Sequence, residues 1–252
     1  MTISKKNNFK NSLSILTAFV FVYVVLFEFI LPVNRVLPKP SLLFESFIDV
    51  WIHYELLNNL IVSLSVIYFA ITVGYLIISV LAGYLIKINF EFPGIFNGFR
   101  MFRYFPAFFY ALVFAFWFEG SIIGEFIFAL IGAVVFTGIA LNNSLKEIKP
   151  EYLLAAQSLG IKKRKIYGDV AWKLNQPAVV KSLPRLHIYL WVLVLIFEFV
   201  GAHSGLGNIY RLILYYNDFA ALFASALFIS FIILLGSLLI GWIEKKLITW
   251  EP

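Results

Sequence analysis

Long apolar runs separated by short polar segments make up most of the chain. A helix needs about 20 predominantly apolar residues to cross the hydrocarbon layer of a bilayer. Six runs come close to or exceed that length, at about residues 12–31, 60–86, 102–118, 121–141, 186–202 and 219–243. Only Glu119 and Gly120 separate the third run from the fourth. The pattern predicts an all-α, polytopic membrane protein with six transmembrane helices.

Composition agrees with lipid as the main solvent. The 252 residues are 62% hydrophobic and only 13% charged, whereas soluble domains carry about 25% charged residues. The first run is longer than a signal-peptide core of about 7–15 residues and no A-x-A site follows it, so we expect a retained span. Residues 41–58 are typical of an amphipathic helix at the outer membrane surface, with Trp51, His53 and Tyr54 near its end.

Enzymatic and metal-binding signatures are missing from the sequence. The chain has no Cys and three His, which excludes disulfides, thiol nucleophiles and Cys-ligated metals and disfavours a zinc site. It also contains neither the glycine-rich P-loop pattern nor H-E-x-x-H. We therefore predict no enzyme activity, no catalytic residues, no metal and no cofactor of its own.

The positive charges are unequally divided between the two sides that six spans would define. If both termini are cytoplasmic, 17 of the 20 Lys and Arg residues lie on the cytoplasmic side. An excess of Lys and Arg in cytoplasmic loops sets the orientation of membrane proteins. A prediction with one span fewer would place every later loop on the opposite side of the membrane and destroy this unequal division. We predict both termini in the cytoplasm, one transmembrane domain over 1–252, and a long cytoplasmic loop at about 142–185.

The cytoplasmic loop contains a helix, a glycine and a basic segment. Pro150 and Glu151 are a favourable helix start, and Gly160 is suited to end that helix. One apolar face is predicted from Tyr152, Ala155, Ala156 and Leu159. A second short helix is predicted at 161–170, with Lys162–Lys165 on one side. The shape suits docking to a cytoplasmic protein, although the cations could instead lie among anionic lipid headgroups. Spans on both sides of the loop argue against nucleic-acid binding.

The same loop resembles the EAA loop of permease subunits from bacterial ABC importers. The family pattern is Glu-Ala-Ala, three residues, Gly, nine residues and Ile-x-Leu-Pro. Ala155-Ala156-x-x-x-Gly160 matches it, and Val170 occupies the Ile position. The sequence departs from the pattern at three positions, which are Leu154 for Glu, Trp172 for Leu and Lys173 for Pro.

Further segments resemble the nitrate/sulfonate/taurine branch of that family, in the same order from about residue 36 to 250. They are Leu37-Pro38-x-Pro40-Ser41, Arg103-x-x-Pro106, Glu198 followed by Ser204-Gly205-Leu206-Gly207, and Trp242 to Lys246 with Trp250. The resemblance implies a type I ABC importer permease fold in the bacterial inner membrane. It also implies three protein partners: a second permease subunit, cytoplasmic ABC ATPase subunits that bind the ATP, and an extracytoplasmic solute-binding protein.

The resemblance also assigns roles to residues. Coupling to the ATPase is expected at Ala155, Ala156, Ser158, Leu159, Gly160, Ile161, Lys162 and Lys163. A role in the translocation pathway or on the binding-protein side is expected at Glu198, Ser204, Gly205 and Gly207. The substrate implied is a small anion such as a sulfonate, taurine or nitrate, with a thiamine-pyrimidine or flavin-like compound as the alternative. The departures at Leu154, Trp172 and Lys173 leave a homodimer and a heterodimer with a paralogue both open.

Acidic residues near the spans have alternative interpretations. Glu28 is expected to reach the interface, and Glu119 and Glu125 are expected at the surface of the outer turn. Glu198 lies deeper in its span than the other acidic residues. It is expected either to contribute to the translocation pathway or to form a local hydrogen bond or helix cap. His203 is expected to be an ordinary loop residue.

Small residues and the overall pattern bear on packing and on the class of transporter. Gly74, Ser79 and Gly83 predict close helix packing.

A stand-alone secondary transporter or channel is the alternative function, but the carboxylates lie toward the outer ends of the spans and the two halves of the sequence show no repeat. A membrane-embedded enzyme is a third class, which would need clustered catalytic side chains at one depth.

Overall fold

The computed structural model describes residues 14–15, 17–31, 37–92, 106–148, 150–201 and 203–248. This part of the chain is 88% helical and contains no strand, which confirms the all-α prediction. The helices are α1 (Thr17–Ile30), α2 (Pro40–Ile52), α3 (Leu56–Glu91), α4 (Ala107–Trp117), α5 (Ile122–Ser144), α6 (Pro150–Ser158), α7 (Lys163–Lys165), α8 (Trp172–Lys181), α9 (Leu183–Gly201), α10 (Leu206–Tyr215) and α11 (Phe219–Leu247). A 3₁₀ turn covers Leu145–Glu147, and π-helical turns cover Val25–Ile30 within α1 and Ile166–Ala171 between α7 and α8.

Four of the described helices, α3, α5, α9 and α11, are long and apolar enough to cross a membrane. They correspond to the second, fourth, fifth and sixth predicted spans. Helices α1 and α4 are shorter apolar helices within the first and third predicted spans, whose remaining residues lie partly outside the described ranges. Only 28–44% of the most apolar window of each long helix is buried. More than half of that surface is therefore available to lipid or to another protein.

Several boundaries differ from the sequence predictions. Helix α3 extends beyond the predicted 60–86 at both ends. The amphipathic segment predicted at 41–58 does form a helix, but α2 ends at Ile52 and the backbone turns at Glu55, which has φ 50°. Helices α8 and α10 were not predicted as separate elements. The turn between α4 and α5 lies at Glu119 and Gly120, as predicted, and Gly120 has φ +65°.

The chain divides into two compact units. The first unit comprises residues 1–56 and 210–229. Its described core contains Val50, Leu56 and Ile213, all at most 1% exposed. Here Glu28 accepts hydrogen bonds from the Ser41 N–H (3.2 Å) and hydroxyl (2.9 Å) at the start of α2. Glu28, which was expected to reach the membrane interface, thus accepts hydrogen bonds from the N-terminal turn of α2, where a negative charge is favourable.

The second unit comprises residues 57–209 and 230–252. Helices α4 and α5 pack against α9, whose Trp191 and Phe197 are buried. The predicted close packing is confirmed at two glycines of α3. A Cβ atom on Gly74 would lie 2.8 Å from the Ala133 Cβ of α5, and one on Gly83 would lie 2.8 Å from the Gly168 Cα.

Candidate functional site: the loop after α5 and a capped helix start

Helix α6 ends in a motif that requires its glycine. Gly160 has φ +74°, a left-handed conformation that costs a residue with a side chain about 1–2 kcal/mol. The Ile161 N–H donates to the Ala156 carbonyl (3.2 Å) and the Gly160 N–H donates to the Gln157 carbonyl (3.0 Å). This pair of bonds is the Schellman motif. The predictions of a helix starting near Pro150 and ending before Gly160 are confirmed.

The segment after Gly160 differs from the predicted helix at 161–170. Lys162 is extended, with φ −60° and ψ 138°, and helical structure begins at Lys163. It then continues through the π-helical turn and α8 to Lys181, with Pro177 inside α8. Because Lys173 stands where the resembled pattern has Pro, its backbone N–H is available and the helix can continue past this point. The exposed cations at 163–165 therefore lie in the first turn of a helix, where its dipole disfavours positive charge.

The loop from α6 to α8 is anchored on the C-terminal parts of the spans α3 and α5. Ala171 and Val179 are buried with Ile78, Ile86 and Leu141 in one hydrophobic cluster. Partly buried Leu153 of α6 and Tyr167 of the π-helical turn pack against this cluster. The close approach of Gly83 to Gly168 brings the backbone of α3 against the π-helical turn. The loop and the spans α3 and α5 therefore share one core.

The apolar face predicted for α6 is only partly buried. Ala156 is 6% exposed, but Tyr152 is 54%, Leu159 is 79% and Leu154 is 63% exposed. Ala155 is exposed as well. Within the described residues, this face is therefore covered by the same chain only at Ala156. Three large apolar side chains in and directly after a nine-residue helix are uncovered, and such a patch is a candidate interaction surface.

The start of α10 is capped by three side chains from two spans. The Gly205 N–H donates to Asn59 Oδ1 (2.7 Å) and the Leu206 N–H donates to Ser63 Oγ (3.0 Å). The Gly207 N–H donates to Glu198 Oε2 (2.7 Å), while the Ser63 hydroxyl donates to Glu198 Oε1 (2.5 Å). These groups satisfy three of the four free N–H donors that a helix start leaves.

The two glycines of this segment are needed for the cap. Gly205 has φ +97°, and a Cβ atom there would overlap the Glu198 carboxyl group. A Cβ atom on Gly207 would overlap the Leu195 carbonyl and lie 2.6 Å from the Glu198 Cβ. Ser204 is half-buried in the preceding turn. Glu198 is completely buried, so the geometry matches the helix-cap alternative, and its pathway role stays a prediction.

Glu125 is not at the surface, and its predicted exposure is wrong. Helix α5 begins at Ile122, with the Ser121 hydroxyl accepting a hydrogen bond from the Gly124 N–H (3.3 Å). Glu125 therefore lies in the first turn of the span, is 1% exposed, and approaches the Glu198 carboxyl group to hydrogen-bonding range. Glu119, in contrast, is exposed as predicted. Exposed His203, as expected, is a loop residue, and its ring lies against Gly120.

A buried histidine that the sequence analysis did not single out lies in α9. His187 is completely buried and its Nε2 accepts a hydrogen bond from Trp191 Nε1 (2.9 Å). Its Nδ1 lies 3.2 Å from Ser237 Oγ, and the Tyr68 ring stacks on it at 5.6 Å. Because the indole N–H can only donate, Nε2 must be unprotonated and the imidazole is neutral. The spacing of His187 and Trp191, one helical turn apart, is the sequence signal that could have revealed this contact.

The first unit contains a polar cleft of about 450 Å³. It is lined by Asp49, His53, Tyr54, Leu212, Tyr216 and Asp218. The Tyr54 hydroxyl lies 3.5 Å from Asp218 Oδ2, and His53 Nδ1 lies 3.5 Å from Asp49 Oδ1. Burial, followed by the Asp218 carboxylate, raises the pKa of Tyr54. Within the described ranges no cluster of three or more His, Cys, Asp or Glu residues could hold a metal ion.

These observations define an all-helical integral membrane protein whose buried polar groups hold helices to one another. The family model described as binding-protein-dependent transport system inner membrane component matches residues 76–249. The chain therefore belongs to this family and is the permease component of a transport system, located in the inner membrane. Members of the family work with partners such as an ATPase and a solute-binding protein, and they are transport proteins rather than enzymes. A search of curated proteins found no match.

Proposed function

We propose that the chain forms one half of the solute pathway of an ATP-driven importer and is coupled to a cytoplasmic ATPase through residues 155–163. The observation that carries the proposal is the uncovered apolar surface of α6 and its end, at Tyr152, Leu154 and Leu159, on a loop that is otherwise packed into the core of the second unit. A surface that enters a groove on another protein is expected to be apolar and to lie on a rigid element that packs against the core of its own chain. The Schellman motif at Gly160 and the buried Ala156 supply that stiffness.

The cations beside this surface support the same role. Lys163, Arg164 and Lys165 occupy a helix start, where their charge is unfavourable to the helix itself. A partner with acidic groups would make this arrangement favourable, whereas anionic lipid headgroups are the alternative ligand. The location of the loop in the cytoplasm is supported by the unequal division of Lys and Arg along the chain.

The contacts of the loop with α3 and α5 would transmit a displacement caused by the ATPase to the helix bundle. A displacement of α6 would move the π-helical turn that it contacts, whose Ala171 is buried against residues of α3 and α5. The Gly83–Gly168 approach leaves no compressible side chain between the π-helical turn and α3. Because packed cores transmit displacement rather than absorb it, the loop and the inner ends of α3 and α5 would move together.

The remaining parts of the proposal concern the complex and its substrate. The uncovered apolar surface of the four long helices supports contact with a second permease subunit, identical or paralogous, as well as with lipid. We propose six spans in a type I fold with both termini cytoplasmic, and a binding protein docking beside Ser204, Gly205, Gly207 and Glu198. The motifs at 37–41 and 204–207 support a small anion such as a sulfonate, taurine or nitrate, with a thiamine-pyrimidine or flavin-like compound as the alternative.

The coupling role is tested by placing a charge on the exposed end of α6. In the complex reconstituted with its ATPase and binding protein, we expect Leu159→Glu to reduce ATP-driven uptake at least about tenfold, which corresponds to about 1.4 kcal/mol of lost interaction. The same substitution at Leu174, an exposed leucine of α8 that is 42% accessible, is the matched control and should leave uptake within about twofold. Co-purification of the ATPase with each variant distinguishes lost docking from misfolding. Normal uptake and ATPase binding in Leu159→Glu would contradict the coupling assignment.

A further inference from the structure

Two buried carboxyl groups meet at one end of the bundle, and among the described residues Glu198 has donors on both oxygens whereas Glu125 Oε1 has none. Glu198 is completely buried and accepts from the Ser63 hydroxyl and the Gly207 N–H. Glu125 is 1% exposed, lies at hydrogen-bonding range of Glu198, and its Oε1 has no partner among the described residues. Neither carboxyl group has a Lys or Arg partner among the described hydrogen bonds and ion pairs.

Two buried phenylalanines adjoin the pair along α5 and α9. Phe128 follows Glu125 by one turn of α5, and Phe197 precedes Glu198 in α9. Their rings lie 5.4 Å apart, and the side chains are 5% and 1% exposed. Removing an unpaired carboxylate from water into such a site costs several kcal/mol. Two adjacent carboxylates in one buried site cannot both be ionised, and the usual solution is that the pair holds one proton.

The hydrogen bonds decide which group is the acid. Glu198 faces the N-terminal end of α10, where N–H groups and the helix dipole favour a negative charge. Glu125 has no comparable donor to its Oε1, so the neutral form is favoured at that position. A protonated Glu125 can donate its O–H to the Glu198 carboxylate. That bond would join α5 to the α3–α9–α10 cap as a fourth element.

We propose that the pair is a proton-binding site in which Glu125 is a carboxylic acid that donates to the Glu198 carboxylate. Glu125 is then a positioning residue, acting through Glu198 on the start of α10, and the pair carries a single negative charge. Proton uptake from solvent forms one O–H bond on Glu125, no other covalent bond changes, and the only ligand is the proton. The inference rests on geometry within the second unit and does not depend on the proposed transport function.

Infrared difference spectroscopy of the full-length chain in lipid nanodiscs tests the proposal, because a protonated carboxyl group has a carbonyl stretch that a carboxylate lacks. We expect a carboxylic-acid band in the wild-type protein that is lost in Glu125→Gln. Glu119→Gln, which alters the exposed glutamate of the preceding turn, is the control and should leave the band unchanged. Glu198→Gln should move the band, because the acceptor of the Glu125 hydroxyl changes from a carboxylate to an amide.

Thermal unfolding of the same preparations provides the second readout. The amide group introduced by Glu125→Gln can still donate to Glu198, so this variant should unfold within a few degrees of the wild type, whereas Glu125→Leu should unfold at a clearly lower temperature. The proposal is overturned if Glu125→Gln leaves the carboxylic-acid band intact, or if Glu198→Gln leaves it unmoved. It is also overturned if Glu125→Gln lowers the unfolding temperature as much as Glu125→Leu. Should Glu125→Gln not fold, the Glu198→Gln spectrum decides the question alone.

Discussion

At the scale of single residues, the cap on α10 shows how few side chains fix a helix start inside a membrane protein. The Ser63 hydroxyl donates to Glu198 and accepts from Leu206, so one oxygen serves two partners that have little other access to water. Asn59 holds the N–H of Gly205. Each buried donor or acceptor left unpaired costs about 1–3 kcal/mol, which makes this group of residues a large local contribution to stability.

Ser63→Ala should therefore destabilise the protein, because it removes a donor to Glu198 Oε1 and the hydroxyl acceptor of the Leu206 N–H. We expect a loss of about 1–3 kcal/mol for each of these groups, seen as a lower unfolding temperature of the purified chain. Ser79→Ala is the matched control in the same helix. The Ser79 hydroxyl oxygen is buried and has no partner among the described residues, so its removal should cost little or be stabilising. Equal losses for the two variants would argue against the cap.

At this scale, the sequence predicted those features that depend on the backbone conformation or on the absence of a side chain. The end of α6 at Gly160 and the close packing at Gly74 and Gly83 follow from the absence of a side chain, which is visible in the sequence. It failed for Glu125 and did not find His187. Their burial depends on which residues of other helices face them, and a position near the end of an apolar run gives no information on that. Glu125 is one turn inside α5, whereas its place in the sequence indicated a surface turn.

At the scale of elements, the loop and the spans form a single packed structure rather than a flexible connection. The 3₁₀ turn at Leu145–Glu147 contacts the C-terminal end of α5, and α6 contacts the π-helical turn. Gly83 of α3 meets the π-helical turn at Gly168 with no side chain between them. This contact is where the proposed coupling motion enters the bundle.

Gly83→Ala should disturb this contact. Its Cβ atom would lie 2.8 Å from the Gly168 Cα, a backbone atom that cannot rotate away. We expect a cost of about 1–3 kcal/mol, typical of overpacking, together with weaker association of the ATPase in pull-down experiments. Gly138→Ala of α5 is the control, because its Cβ atom would meet only Ile78 Cδ1 at 3.8 Å. If both variants bind the ATPase and unfold like the wild type, the contact does not have the role we assign to it.

The long helices were predictable from apolar length, but two short ones were not. Helix α10 was interpreted as a turn because Gly205 and Gly207 dominate its start. Leu206, Ile209 and Ile213, spaced by three and four residues and at most 1% exposed, are the helical pattern that could have indicated it. Helix α8 has no apolar run and contains Pro177, so its place in the structure depends on packing against α5 rather than on its own sequence pattern.

At the scale of the whole molecule, three independent features agree on a membrane permease component. The described long helices leave most of their apolar surface uncovered. The division of Lys and Arg is strongly unequal across the predicted sides, and the family match covers residues 76–249. The family match reaches neither α1 nor α2, so the first two elements and the first predicted span rest on sequence pattern and on the structure.

The central claim is that α6 lies on the cytoplasmic side and is covered there by the ATPase. The protein has no Cys, so single cysteines at exposed Gln157 and, as an outer control, exposed Tyr216 can be labelled with a membrane-impermeant maleimide without further engineering. We predict that Gln157→Cys is labelled in inverted vesicles but not in intact cells and is protected when the ATPase is bound, whereas Tyr216→Cys shows the opposite sidedness and no protection. Labelling of Gln157→Cys from outside intact cells, or equal labelling with and without the ATPase, would contradict the account.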